Sequence, residues 1–171
     1  MPSFPLPSDA WPRPPLDELE RTFVAEPLRP VGAGLVRGTF LGPVRSRGAT
    51  RLSVRALDVA LFRAVRWGLD LDARRWWFES PRLAAGHFRI VEGPSRWRDT
   101  RVLQLHYDVS RLPLRGVLYD ELKPLEGGRI LGLGGLAFDR GEGDHFFFAL
   151  APVESAGPVS DVRADARSGP R

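Results

Sequence analysis

Short apolar and aromatic runs, separated by turn residues, fill the second half of the chain. Six such runs lie between residues 74 and 151: RRWWFES, GHFRIVEG, RVLQLHYD, RGVLYDEL, GRILGLGGLAF and DHFFFALA. Their connections, such as EGPSRWRDT, KPLEGG and DRGEGD, are rich in glycine and charged residues. Runs of this kind at regular spacing predict an antiparallel meander. With GLVRGTFLG at 34–42 and a further run over 43–52, the count reaches seven or eight strands, enough to close a barrel that can hold one small ligand.

Two other segments have the period of a helix. Leu16, Leu19 and Phe23 recur at helical spacing, acids occupy the first turn, and Pro27 ends the run. Residues 53–68 (SVRALDVALFRAVRWG) show the same period between a serine N-cap and a glycine. The sequence therefore predicts a mainly β protein, with a short N-terminal helix and one helix that covers the barrel.

Composition along the chain predicts one folded domain with loose ends. Residues 1–15 are rich in proline and predict a flexible N-terminal segment. Residues 153–171 offer little that could be buried and predict a disordered tail. The barrel domain is expected to span residues 16–152. The chain has no cysteine, no signal-peptide pattern and no apolar run of about 18 residues, which predicts a cytoplasmic protein without a membrane partner.

The charged residues argue against nucleic acid as a partner. The net charge is +4, but the arginines are scattered along the chain instead of clustered on one face. Arg74 and Arg75 beside two tryptophans are the one local feature that favours base stacking. The oligomeric state is not predicted by the sequence.

No metal or cofactor is predicted either. His87, His106 and His145 fall on separate predicted strands without the short spacing of most metal sites. The glycines of GRILGLGG do not follow the spacing of a dinucleotide-binding loop, and no helix pattern follows them. They are interpreted as bends of a small barrel or, alternatively, as a place where a ligand lies against bare backbone.

The predicted hairpin LQLHYDV and VLYDEL, joined through VSRLPL, has acids and phenols in both strands. Alternation sorts its side chains into two faces. One face, expected to be solvated, carries Val102, Gln104, His106, Asp108, Arg115, Val117, Tyr119 and Glu121. The other carries Leu103, Leu105, Tyr107, Leu118, Asp120 and Leu122. The turn predicts that Leu103 lies opposite Asp120 and Leu105 opposite Leu118.

Asp120 is then the single carboxylate on an apolar face. An isolated ionised carboxylate is costly to bury, so the group must be paired, hydrogen-bonded or kept protonated. One interpretation is structural: Asp120 accepts hydrogen bonds and fixes the register. The other is catalytic: Asp120 acts as an acid or base with Tyr107 as its hydroxyl partner. A bulge between Val117 and Leu122 would instead turn Tyr119 and Glu121 inward.

The aromatic runs RRWWFE and HFFFAL place rings on both faces of their strands, either to line a cavity or to be covered by the helix at 53–68. The predicted ligand-binding residues are Trp76, Trp77, Phe88, Leu103, Leu105, Leu118, Phe146 and Phe148.

The order of these motifs resembles the lipocalin-like (calycin) β-barrels, and more closely a group of uncharacterised bacterial lipocalin-like proteins. The resemblance rests on GLVRGTF, LQLHYDV, VLYDEL, GRILGLGG and HFFFALAP, and covers about residues 32–152. It implies a ligand-holding barrel and supplies no catalytic residues.

Two functions compete within this interpretation. A cofactor-free cyclase or isomerase of a biosynthetic intermediate would use Asp120 as acid or base, with Tyr107 as its helper. A carrier of a small apolar or amphipathic molecule would need the same cavity and only one polar anchor. Nucleic-acid binding is a third, weaker hypothesis.

Overall fold

The computed structural model describes residues 14–44, 66–107, 118–136 and 144–153. Within these ranges the chain forms one α-helix and nine strands. In chain order they are α1 (Leu16–Ala25), β1 (Leu35–Val44), β2 (Trp67–Asp70), β3 (Arg75–Phe78), β4 (Ser80–His87), β5 (Arg89–Pro94), β6 (Arg101–His106), β7 (Leu118–Pro124), β8 (Ile130–Leu136) and β9 (Asp144–Pro152).

The strands form one antiparallel sheet in the order β4-β3-β2-β1-β9-β8-β7-β6-β5. Because every hydrogen-bonded pair is antiparallel, the two edge strands, β4 and β5, run in the same direction. Phe88 alone separates them along the chain. The two edges are therefore halves of one bent strand, which pairs with β3 through its first half and with β6 through its second half. The sheet is a nearly closed barrel, and counting β4 and β5 as one reduces its nine strands to eight.

This architecture confirms the predicted mainly β antiparallel barrel, but the predicted helix at 53–68 is wrong at its C-terminal end. Trp67 and Gly68 belong to β2, while residues 53–65 and the predicted run over 45–52 lie outside the described residues. A Cβ on Gly68 would lie 2.0 Å from the carbonyl oxygen of Val36, so glycine allows the two strands to pair. Strand β4 was not predicted. The domain boundaries at residues 15 and 153 stay a prediction.

The β6–β7 register differs from the predicted one by two residues. Leu103 lies opposite Leu122, and Leu105 lies opposite Asp120. The observed register makes an apolar cross-strand pair of the two leucines, which stabilises the sheet. Because a shift of two residues preserves the faces of a strand, Asp120 still shares a face with Leu118 and Leu122.

A continuous apolar core fills the inward face of the barrel. Its buried members come from strands around the whole sheet and its flanks: Val36, Phe40, Trp67, Leu69, Leu71, Phe88, Leu103, Leu105, Tyr107, Leu122, Ile130, Phe146, Phe148 and Leu150. Glycines of β8 lie beneath rings of β9: a Cβ on Gly132 would lie 2.1 Å from the Phe148 ring, and one on Gly134 would lie 2.5 Å from the Phe146 ring. These glycines make room for aromatic rings that lie against the barrel wall.

Helix α1 covers part of the outward face of the sheet. Leu19 and Phe23 pack there against Val102, Leu131 and Phe147. The prediction that the hairpin face with Val102, Tyr119 and Glu121 is solvated is therefore wrong. Among its members Val102, Tyr119 and Glu121 are buried, because the helix and the β5–β6 connection lie over them.

Lys123, the only lysine of the chain, anchors this helix. Its side chain is buried on the outward face of β7, and its ammonium group donates hydrogen bonds to the carbonyl oxygen of Glu26 at 3.1 Å, to Thr100 Oγ1 at 2.9 Å and to the carbonyl oxygen of Arg101 at 2.5 Å. Burial lowers the pKa of Lys123, while the negative charges of Glu26 and Glu121 oppose that shift. All three N–H donors have an acceptor, so the lysine ties the C-terminal end of α1 to the barrel.

Candidate functional site

Asp120 lies on the inward face of β7, between β6 and β8. It is opposite Leu105 on one side and Gly134 on the other. A Cβ on Gly134 would lie 2.6 Å from Asp120 Oδ1, so the carboxyl group lies across the bare backbone of β8. The β7–β8 register is continuous from Leu118 to Pro124 and leaves no bulge that would turn Tyr119 inward. Asp120 is 7% exposed and therefore buried within the barrel.

A chain of hydrogen bonds connects Asp120 to the far side of the barrel. The hydroxyl of Tyr107 donates to Asp120 Oδ2. The indole N–H of Trp76, on β3, donates to the oxygen of Tyr107 at 3.0 Å. The Phe88 ring packs edge-to-face against Tyr107, with ring centroids 6.4 Å apart. The apolar interior therefore contains one polar chain, which runs from an indole through a phenol to a carboxyl group.

Burial sets the protonation of this chain. Desolvation raises the pKa of Asp120 from its usual 3.8 to about 7. The Tyr107 hydrogen bond opposes the shift and the charge of Glu121 adds to it. Desolvation and the neighbouring Asp120 charge raise the pKa of Tyr107, so the phenol stays protonated. Near neutral pH the Asp120 carboxyl group can therefore both donate and accept a proton, as a general acid or base must.

The structure brings most of the predicted ligand-binding residues together around this chain. The inward-facing ones are Trp76, Phe88, Leu103, Leu105, Leu118, Phe146 and Phe148, which join the same core as Tyr107. Trp77 is the exception. It lies on the outward face of β3, where its ring packs over Gly68, because neighbouring residues of a strand point to opposite faces.

Four inward-facing apolar residues are only partly buried: Trp76, Phe78, Ile90 and Leu118. We call them the mouth residues. They lie near the polar chain, because Trp76 is hydrogen-bonded to Tyr107, Ile90 pairs with Leu105 and Leu118 is two residues from Asp120. The inward face is therefore partly exposed on the side where the polar chain lies. Phe78 and Ile90 are not among the predicted ligand-binding residues, although alternation with Trp76 and Phe88 places them on the same face.

A second polar cluster lies on the outward face, where the β5–β6 connection meets β7 and β9. The Glu121 carboxylate accepts hydrogen bonds from Ser95 Oγ and from the backbone N–H of Arg96, both at 2.6 Å. Tyr119 is hydrogen-bonded to His145 Nδ1, and the Arg96 guanidinium lies 5.3 Å from the centre of the Tyr119 ring. The contacts of Glu121 and Tyr119 fix the connection to the barrel, which gives this cluster a structural role.

The described ranges contain no group of three or more His, Asp or Glu side chains placed to hold a metal ion. Within the same ranges, no helix has the length and apolar character needed to cross a membrane.

Fold and site together define a nearly closed antiparallel barrel with a buried acid–phenol pair facing its interior. Comparisons with known proteins found nothing similar to this chain: no family model, no curated protein and no solved structure matches it.

Proposed function

We propose that the barrel binds a small, largely apolar organic molecule beside Asp120 and acts on it as a cofactor-free cyclase or isomerase. The observation that carries this proposal is a buried carboxyl group with a pKa of about 7, hydrogen-bonded to a phenol inside an apolar barrel. Asp120 would transfer the proton, and Tyr107 would hold the carboxyl group in place and stabilise its ionised form.

The lining supports an apolar substrate with a single polar position. Leucine and aromatic side chains form the surroundings of Asp120, and small-molecule sites typically combine such walls with a few polar groups. We expect a molecule of this kind to enter past the mouth residues, because they are only partly buried. We include in the proposal a relationship to the lipocalin-like barrels, whose interiors hold such ligands.

A non-catalytic carrier is the second candidate. The observation that favours it is that Trp76, Tyr107 and Asp120 already satisfy one another by hydrogen bonds, which makes a rigid polar anchor. Nucleic-acid binding finds less support. Arg75 pairs with Asp70 at 3.4 Å, Trp76 faces the interior and Trp77 is buried, so neither ring stands free for a base to stack on.

Binding in the interior is tested by two neighbouring substitutions on β5. We expect the neutral apolar probe N-phenyl-1-naphthylamine to bind the wild-type protein with a rise in fluorescence. Ile90→Trp fills the mouth and should weaken binding by about tenfold or more. Val91→Trp is the matched control, because Val91 lies on the opposite face of the same strand and is 37% exposed. Equal loss in both variants, or no binding to the wild-type protein, would contradict an interior site.

Catalysis is tested on the molecule that co-purifies with the wild-type protein, identified by native mass spectrometry. Loss of a general acid or base lowers turnover by about 100-fold or more, so we expect this from Asp120→Asn while probe binding is retained. Exposed Asp17 on α1 supplies the control, Asp17→Asn. If wild-type protein binds the molecule and leaves it unchanged, the carrier function replaces the enzyme.

A further inference from the structure

Three buried nitrogen donors on the outward face of β1, β2 and β3 have no acceptor. They are Arg37 Nε, Arg75 Nε and Trp77 Nε1, and none finds a hydrogen-bond partner in the part of the chain that the structure describes. Trp77 is 2% exposed. An unpaired buried donor costs free energy, so three on one face call for an explanation.

The three donors are close in the sheet register. Arg37 pairs with Gly68, and Gly68 pairs with Trp77, so the donors of Arg37 and Trp77 lie in one row across β1, β2 and β3. Trp77 Cε2 and Cζ2, at the ring edge that carries the indole nitrogen, would lie 2.6 and 2.4 Å from a Cβ on Gly68. Arg75 lies two residues before Trp77 and therefore on the same face. On its other side Arg37 pairs with Ala151, so small residues flank the arginine in both directions.

The Asp70 carboxylate, which lies on this face of β2, is already in use. The Asp70 carboxylate accepts from the backbone N–H of Ala73 at 2.9 Å and from the Arg75 guanidinium at 3.4 Å. Arg37 has no ion pair or hydrogen bond with the described part of the chain. The buried polar residues beneath α1 differ from these three donors, because they have hydrogen-bond partners. The Lys123 ammonium group has three acceptors, and the Glu121 carboxylate has two donors. The surplus of donors is therefore local to β1–β3.

We propose that this outward face binds a carboxylate-bearing small molecule between Arg37 and Trp77. A carboxylate has only acceptors and can accept two parallel hydrogen bonds from the Nε edge of a guanidinium. One oxygen would accept from Trp77 Nε1–H as well, and Arg75 would add positive charge from the neighbouring row. This site is separate from the barrel interior, and it neither needs nor supports the proposed catalytic role of Asp120.

The test uses sodium acetate as the probe on the full chain. Trp indole N–H resonances are followed by nitrogen–proton NMR while acetate replaces chloride at constant ionic strength, up to 100 mM. We expect the Trp77 resonance, identified by its loss in Trp77→Phe, to move downfield and saturate. The resonance of Trp76, which already donates to Tyr107, should stay in place. Phosphate at the same ionic strength distinguishes a carboxylate site from one that accepts any oxyanion: an equal shift would overturn the choice of carboxylate.

A melting-temperature comparison provides the second readout. Binding of acetate to the folded state should raise the melting temperature of the wild-type protein by about 3 °C over chloride. Arg37→Gln should remove most of this rise. Arg21→Gln, at an exposed position of α1, is the matched control and should keep it. An unmoved Trp77 resonance, or an equal rise in both variants, would overturn the proposal.

Discussion

The Asp120→Asn variant is expected to be more stable than the wild-type protein at pH 8 and about equally stable at pH 4. Burial raises the pKa of Asp120 from 3.8 to about 7 in the folded protein, whereas in the unfolded chain the group returns to its ordinary value. Between these two pKa values the folded state binds more protons, so the stability of the wild-type protein falls as pH rises and reaches its lower level above pH 7. One pKa unit corresponds to about 1.4 kcal/mol, so the loss amounts to up to about 4 kcal/mol.

Urea denaturation at a series of pH values from 4 to 8 measures this difference. Asparagine has nearly the shape of aspartic acid and cannot ionise, so the variant should lack the part of the pH dependence that Asp120 contributes. Burial also raises the pKa of Glu121, which gives a change of the same sign in both proteins. Only the difference between the two curves therefore reports on Asp120. Asp17→Asn, at a position whose side chain is 78% exposed, should follow the wild-type curve. Parallel curves for Asp120→Asn and wild type would contradict a carboxyl group with a raised pKa.

A carboxyl group that destabilises the fold at neutral pH supports a functional role for Asp120. A protein selected for stability alone would accept asparagine or leucine at position 120, since neither would have to be kept protonated. Residues that lower stability in this way concentrate at sites that bind or react. The stability measurement therefore bears on the proposed function before any ligand is known.

Much of the barrel could be predicted from local sequence patterns. Alternation with a period of two residues identifies the strands from Arg101 onward, and it assigns Asp120 and Tyr107 to one face without knowledge of their exact register. The error of two residues in the β6–β7 pairing did not affect this assignment, because faces depend only on whether the shift is even or odd. The placement of Asp120 and Tyr107 on one face could therefore be predicted from the sequence.

Other features depend on contacts between distant segments. Trp67 and Leu69 alternate inward in β2, but four residues are too few to distinguish a strand from the end of the helical pattern before them. Burial of both faces of β7 depends on the β5–β6 connection and on α1, which is about 100 residues away in sequence. The hydrogen bond from Trp76 to Tyr107 forms because the sheet curls and brings β3 near the end of β6. No local pattern carries such information.

A large loss of stability, unrelated to proton transfer by Asp120, is expected from Gly132→Ala. A Cβ at this position would lie 2.1 Å from two carbons of the Phe148 ring. That ring is fully buried and is held by Trp67 and Phe146, with centroids 5.7 and 6.1 Å away, so it has little room to move. Overpacking of this kind costs about 3 kcal/mol, which urea denaturation would measure.

A double-mutant cycle distinguishes this clash from an effect of alanine on the strand itself. Phe148→Leu alone should lower stability by about 1.5 kcal/mol, but it removes the ring atoms that the new methyl group would meet. The double variant Gly132→Ala/Phe148→Leu should therefore lose at least about 1 kcal/mol less than the sum of the single losses. Gly32→Ala is the matched control, because nothing lies within 4 Å of a Cβ at that position. Additive losses would contradict the conclusion that Gly132 makes room for the Phe148 ring.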